Sequence, residues 1–226
     1  MLHRPRPTVR RALMAVPFLA ALLLAMRLNR GPIRTVADAA RPGFVLRDAT
    51  AAAGIAFTHR RPTFDPRIAG IEPHVAALGA SVSVADFDGD DKPDLYFTNS
   101  RFGAPNALYR NRGDGTFEEV GGTAGLADLN RAGEGVSMGA VWGDFDNDGR
   151  EDVAVYRYGF LSLFRNVDGR RFEDVTAGAG LRRWVNSNGA IWLDYDRDGL
   201  LDLYVTAYFR DVDLWHLTTT RIMHDS

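Results

Sequence analysis

The sequence predicts an all-β chain built from four-stranded repeats, a partial β-propeller of about three and a half blades preceded by an N-terminal hydrophobic helix. Three observations carry this. A nine-residue phrase with Asp at positions 1, 3, 5 and 9 occurs three times: Asp86-Phe-Asp88-Gly-Asp90-Asp-Lys92-Pro-Asp94, Asp144-Phe-Asp146-Asn-Asp148-Gly-Arg150-Glu-Asp152 and Asp194-Tyr-Asp196-Arg-Asp198-Gly-Leu200-Leu-Asp202. Short β-branched and aromatic runs flank every copy. The first Asp of successive copies falls 58 and then 50 residues after the last, with four such runs per period. Fixed-period self-similarity with four strands per repeat is the signature of a propeller blade.

Residues 1–40 form a different segment. Arg4, Arg6, Arg10 and Arg11 precede an uncharged run from Ala12 to Met26, the basic and apolar regions of an export signal. Fifteen helical residues span about 22 Å, short of a hydrocarbon core of roughly 30 Å. Cleaved signal and membrane anchor through Ala12 to Met26 therefore both stay open. Either way the repeats, residues 41–226, are addressed out of the cytoplasm, to a secreted, periplasmic or membrane-anchored location.

Phe44-Val-Leu-Arg-Asp-Ala-Thr50, followed by Ala53-Gly-Ile55, matches the last strand of a repeat and reads as an orphan strand over 43–50. The first repeat supplies Ser81–Ala85, the first Asp loop and Leu95–Thr98. It continues with Asn106-Ala-Leu-Tyr-Arg-Asn111, a Gly113-Asp-Gly115 turn and Phe117-Glu-Glu-Val-Gly-Gly-Thr-Ala-Gly-Leu126. The second follows the same order: Ala140–Gly143, the loop, Val153–Tyr156, Leu161-Ser-Leu-Phe-Arg-Asn166, Asp168-Gly169 and Phe172-Glu-Asp-Val-Thr-Ala-Gly-Ala-Gly-Leu181. The third stops after Ala190–Leu193, its loop and Leu203–Thr206. A closed ring needs at least four blades, so the sequence reads as an incomplete propeller whose missing blades lie elsewhere in a full-length chain, and which alone should expose sheet edges.

Four carboxylates in one short loop repel one another unless a hard cation neutralises them. Calcium, which takes six to eight oxygens in flexible geometry, suits the donors better than magnesium, and no Cys or clustered His offers softer ligands. An EF-hand is excluded because the loops join strands and close with Asp at position 9. About three calcium ions are expected, one per loop. Position 6 is Gly149 and Gly199 in two of the loops, free to turn through positive φ, whereas the first loop has Asp91 there, which reads as strained.

These phrases resemble FG-GAP/VCBS repeats, the calcium-loop blades also found in integrin α-subunit propellers. The Gly-Ala-Val-Trp-Gly-Asp-Phe-Asp-Asn-Asp-Gly phrase at 139–149 and the Asp-Leu-Trp-His-Leu phrase at 213–217 are similar to those of the cartilage acidic protein family, over roughly residues 43–226. The resemblance implies that four Asp side chains and the position-7 backbone carbonyl hold each ion. The ligands would be Asp86, Asp88, Asp90, Lys92 and Asp94; Asp144, Asp146, Asp148, Arg150 and Asp152; and Asp194, Asp196, Asp198, Leu200 and Asp202. Lys92, Arg150 and Leu200 would act through their carbonyls. The family's C-terminal ASPIC-type domain has no counterpart here.

Once residues 1–40 are set aside, 20 basic and 28 acidic side chains remain, a charge of −8 that excludes a nucleic-acid binder. There is no Cys, so stability must come from packing and bound ions. Trp142 and Trp192 sit two residues before a loop and read as packing between blades. Arg112-Gly-Asp114 spells an integrin-recognition tripeptide, but the parallel turn at 167–169 lacks its Arg, so it reads as a hairpin turn. No nucleophile elbow, phosphate loop or paired acid and base stands out, and His59, His74, His216 and His224 have no ligand-spaced partner. The expected function is an exported calcium-binding module for protein or glycan interaction or adhesion, not an enzyme. The alternative is part of a propeller-based carbohydrate-active or other extracytoplasmic enzyme.

Overall fold

The computed structural model describes residues 45–63, 79 and 81–207. The helix expected over 12–26, the 213–217 phrase and His74, His216 and His224 lie outside the described residues. Among those described, no helix is long and apolar enough to cross a membrane.

Repeat I is an antiparallel meander of β1 (Ser81–Ala85), β2 (Asp94–Thr98), β3 (Ala107–Asn111) and β4 (Phe117–Glu119). Repeat II repeats it with β5 (Gly135–Gly143), β6 (Asp152–Phe160), β7 (Ser162–Asn166) and β8 (Phe172–Asp174). Repeat III contributes the hairpin β9 (Trp184–Leu193) and β10 (Asp202–Ala207). The Asp loops join the first two strands of every repeat, with Ala85 opposite Asp94, Gly143 opposite Asp152 and Leu193 opposite Asp202. Register is fixed by alternation: β2 buries Asp94, Tyr96 and Thr98 and turns Leu95 and Phe97 the other way.

Strands β5, β6 and β9 run longer than the sequence runs imply. Beyond Val155, where its pairing with β7 ends, β6 runs on beside β9, pairing Tyr158 with Asn186 and Phe160 with Trp184, so repeats II and III share a six-stranded sheet. Gly135 faces Gly159 across β5 and β6, and a Cβ on Gly135 would stand 2.1 Å from the Tyr158 carbonyl oxygen. Only glycine allows the two backbones to approach so closely.

The orphan strand expected over 43–50 is not one among the described residues. Residues 45–49 have no regular structure, and Thr50–Gly54 is a helical turn. The Ala-Gly-apolar phrase encodes this turn in all three places: Ile55 N–H donates to Thr50 O, Leu126 to Gly121 O and Leu181 to Thr176 O. In repeat I it includes α1 (Gly121–Ala124), ended by Gly125 at φ 85°. The first copy still packs beside a repeat, since Phe117 N–H donates to Ala53 O.

The core lies between repeats I and II. Tyr96 and Leu108 from one sheet meet Val153, Val155 and Phe164 from the next, with Leu126 and Leu129 of the connection sealing the gap. Trp142 packs edge-on against Tyr96 and Phe172, and its indole N–H donates to Ser83 Oγ. Trp192 stacks on Phe145 and donates to Val141 O, the same role one repeat later. The packing reading of both tryptophans holds. Arg112–Asp114 is a hairpin turn, with Gly113 and Gly115 at positive φ and the Arg112 N–H bonded to Thr116 O.

Candidate metal centres

Each loop is first held by its own position-1 carboxylate. Asp86 accepts the N–H groups of Asp90 and Asp91, Asp144 those of Asp148 and Gly149, and Asp194 those of Asp198 and Gly199, at 2.8–3.2 Å. Position 9 ties the loop to the sheet. Asp94 accepts from Phe87 and Asn111, and Asp152 from Phe145 and Asn166. Asp202 accepts from Tyr195 alone, since the described part of repeat III has no third strand to donate.

This scaffold brings three carboxylates of each loop together, with ligand atoms within 4.8 Å of one another: Asp86, Asp88 and Asp90; Asp144, Asp146 and Asp152; Asp194, Asp196 and Asp202. The three differ between loops. Asp94, Asp148 and Asp198 stand outside these groups. At position 7 the side chains of Lys92 and Arg150 turn onto the position-5 carboxylates, Lys92 Nζ lying 2.6 Å from Asp90 and the Arg150 guanidinium bonding Asp148. Internal cations thus already engage two of the loops, whereas Leu200 offers none.

The electrostatics are those of a crowded anion site. Burial pushes Asp94 and Asp152 up to about 6 against the two N–H groups each accepts, with the neighbouring loop carboxylates adding to the rise. Asp88 is raised by desolvation and then by the charges of Asp90 and Asp86, and its Oδ1 is buried with no hydrogen-bond partner. A buried carboxylate oxygen with nothing bound is expensive unless a cation meets it. The donor set is all oxygen and fits a hard divalent ion.

Asp91 has φ 63°, as its position demands. Position 4 turns the same way, which the sequence reading missed: Gly89, Asn147 and Arg197 have φ 70°, 57° and 65°. The Gly and Asn there were the available signal. Also missed was the Asn closing the Leu-Tyr-Arg-Asn phrase. Asn166 is fully buried, donates to Phe87 O of the preceding loop and to Glu151 O, and accepts from Gly169 N–H. Asn111 does the same more locally, reaching Pro93 O. Further ties link neighbouring loops, from Asp86 N–H to Glu151 Oε2 and from Asn147 to Gly199 O.

This loop-on-hairpin repeat defines the class: residues 86–155 and again 144–205 match the FG-GAP-like repeat, and the chain belongs to that family. In particular it is similar to cartilage acidic protein 1, at 31% identity to the human protein over 113 residues (48% of this chain) and 33% to the mouse protein over the same length. The Xenopus tropicalis protein is 30% identical over 101 residues. The matched region spans 15–16% of the length of these relatives.

Proposed function

We propose that this chain is an extracytoplasmic binding module whose repeats are blades of a β-propeller stiffened by calcium at the Asp loops, and that it engages a protein or glycan partner rather than catalysing a reaction. The observation that carries the reading is the threefold convergence of loop carboxylates, with Asp88 Oδ1 left buried and unpartnered. The Asp side chains at positions 1, 3, 5 and 9 would hold each ion together with the carbonyls of Lys92, Arg150 and Leu200. The ion would supply neutralisation and rigidity. To reach the ion, Asp90 and Asp148 would exchange their Lys92 and Arg150 partners for it. Residues 1–40 would export the module, with Ala12 to Met26 cleaved or kept as an anchor, and further blades would come from a longer chain.

Calorimetry on residues 41–226 tests this. About three calcium ions should bind, and the combined Asp86→Ala, Asp144→Ala and Asp194→Ala changes should abolish most of the heat. Binding untouched by those three changes would sink the assignment.

A further inference from the structure

Away from the Asp loops the same repeats build a second set of sites. Arg157 lies five residues along β6 from Asp152, about 17 Å toward the far end of the sheet at 3.4 Å per residue. There it lines a cavity of about 560 Å³ formed with the 122–134 connection, Ser162 and Arg182. Arg157 is 3% exposed. Its Nη atoms donate to Ser162 Oγ and to the carbonyls of Leu129 and Gly135, while Nε is buried with no partner. Burial brings it down to about 10, so it stays charged at neutral pH.

Among the described residues no carboxylate lies within ion-pair distance of this guanidinium; Glu134 and Asp174 support its charge only from farther off. The acids around the cavity are engaged elsewhere: Asp128 with Arg131 at 2.8 Å, Glu134 with Arg182 at 2.7 Å and Asp174 with the Thr176 hydroxyl. A buried cation hydrogen-bonded only to carbonyls and a hydroxyl, with one N–H unpartnered, is an arrangement that an anion completes.

The cavity is also a product of the repeat. A second one, of about 390 Å³, lies one repeat earlier, and its lining residues Arg60, Asn99, Ala107 and Glu119 are the counterparts in register of Arg131, Arg157, Ser162 and Asp174. Asn99 is likewise buried with its Oδ1 unpartnered. In one pocket the neutral Asn99 stands where the charged Arg157 stands in the other.

We propose that the Arg157 cavity binds a small carboxylate-bearing ligand, on the end of the sheets opposite the Asp loops and independently of their cations. The volume suits a ligand of disaccharide or dipeptide size. A structural peg would need only the Nη bonds to Leu129 and Gly135; the proposal requires Nε as well.

The test is nuclear magnetic resonance of the full chain, following the Arg157 Nε–H signal, with digalacturonate and an acetylated aspartate amide as probes and their neutral counterparts digalactose and acetylated alanine amide as controls. At least one carboxylate probe should shift that signal and saturate, and which one does identifies the source of the carboxylate. The neutral counterpart should bind at least roughly tenfold more weakly, as expected for loss of a charged hydrogen bond. Arg157→Met should weaken binding by a similar factor. Because that change can also loosen the connection, Ala132→Trp, on the exposed cavity rim, serves as a second variant that fills the space without touching Arg157, and it should block binding. Absence of any saturable shift with both carboxylates, equal binding of charged and neutral probes, or full affinity in Ala132→Trp would overturn the proposal.

Discussion

Calcium should reverse the sign of the pH dependence of stability. In the ion-free fold Asp94 and Asp152 are held at about 6 against an ordinary 3.8. Below about pH 4 both are protonated, folded or unfolded, and their contribution is fully present. As pH rises through about 6 the fold must release protons that it holds more tightly than the unfolded chain does, and stability falls. At 1.36 kcal/mol per pH unit each ionisation costs roughly 3 kcal/mol, and solvent screening at the loop surface reduces this to about 1–2 kcal/mol apiece. For a chain of this size, two such groups correspond to a melting temperature roughly 5–15 °C lower at neutral pH than at pH 4 or below. With calcium bound the carboxylates are needed as anions, so acid expels the ion and the slope inverts; saturation at a hundredfold excess over Kd adds about 2.7 kcal/mol per site. Thermal melts across this pH range, in chelator and in millimolar calcium, decide the matter. Parallel profiles in the two conditions would refute the reasoning.

Two further outcomes are expected. Asn166→Ala removes three hydrogen bonds, two of them buried and one half-buried, and should destabilise by about 3 kcal/mol, whereas Asn111→Ala, whose two bonds are exposed, should cost about 1 kcal/mol or less; urea unfolding measures both. Asp91→Gly frees a φ of 63° and should strengthen calcium binding at the first loop by no more than about 1 kcal/mol, while Gly149→Ala, at φ 87° with open space around the added Cβ, should weaken the second by about 1 kcal/mol, both read by calorimetry.

The repeat, its strand order and the Asp loops were legible because each is local: alternation, turn glycines and fixed spacing all act within about ten residues. The 43–50 segment misled because its likeness to Phe117–Leu126 and Phe172–Leu181 resides in the turn that follows the strand. A fourth strand forms only where a third strand precedes it to pair with, as β3 does for β4. The lengthening of β6 and its pairing with β9 depend on two glycines meeting across strands, which no single stretch encodes. The Arg157 cavity was invisible for the same reason. Its lining comes from four separated segments, and an Arg inside a strand otherwise looks like a solvated residue.

Position 7 decides how far each loop depends on an ion. Lys92 and Arg150 place a positive charge on the position-5 carboxylate, and in the first loop that contact holds Asp90 below the ordinary carboxylate range. Such a side chain stabilises the empty loop and competes with calcium for the same oxygens. The third loop has Leu200 there, and its clustered carboxylates Asp194, Asp196 and Asp202 are all exposed. It should therefore be the least ordered loop without calcium and should gain most order on binding. Leu200→Lys should remove that distinction, protecting the third-loop amides from hydrogen exchange in chelator while lowering calcium affinity there. Lys92→Met should act oppositely in the first loop. If amide protection in chelator is equal across the three loops and neither change alters it, the side chain at position 7 is not what sets cation dependence, and the carboxylate geometry alone governs each site.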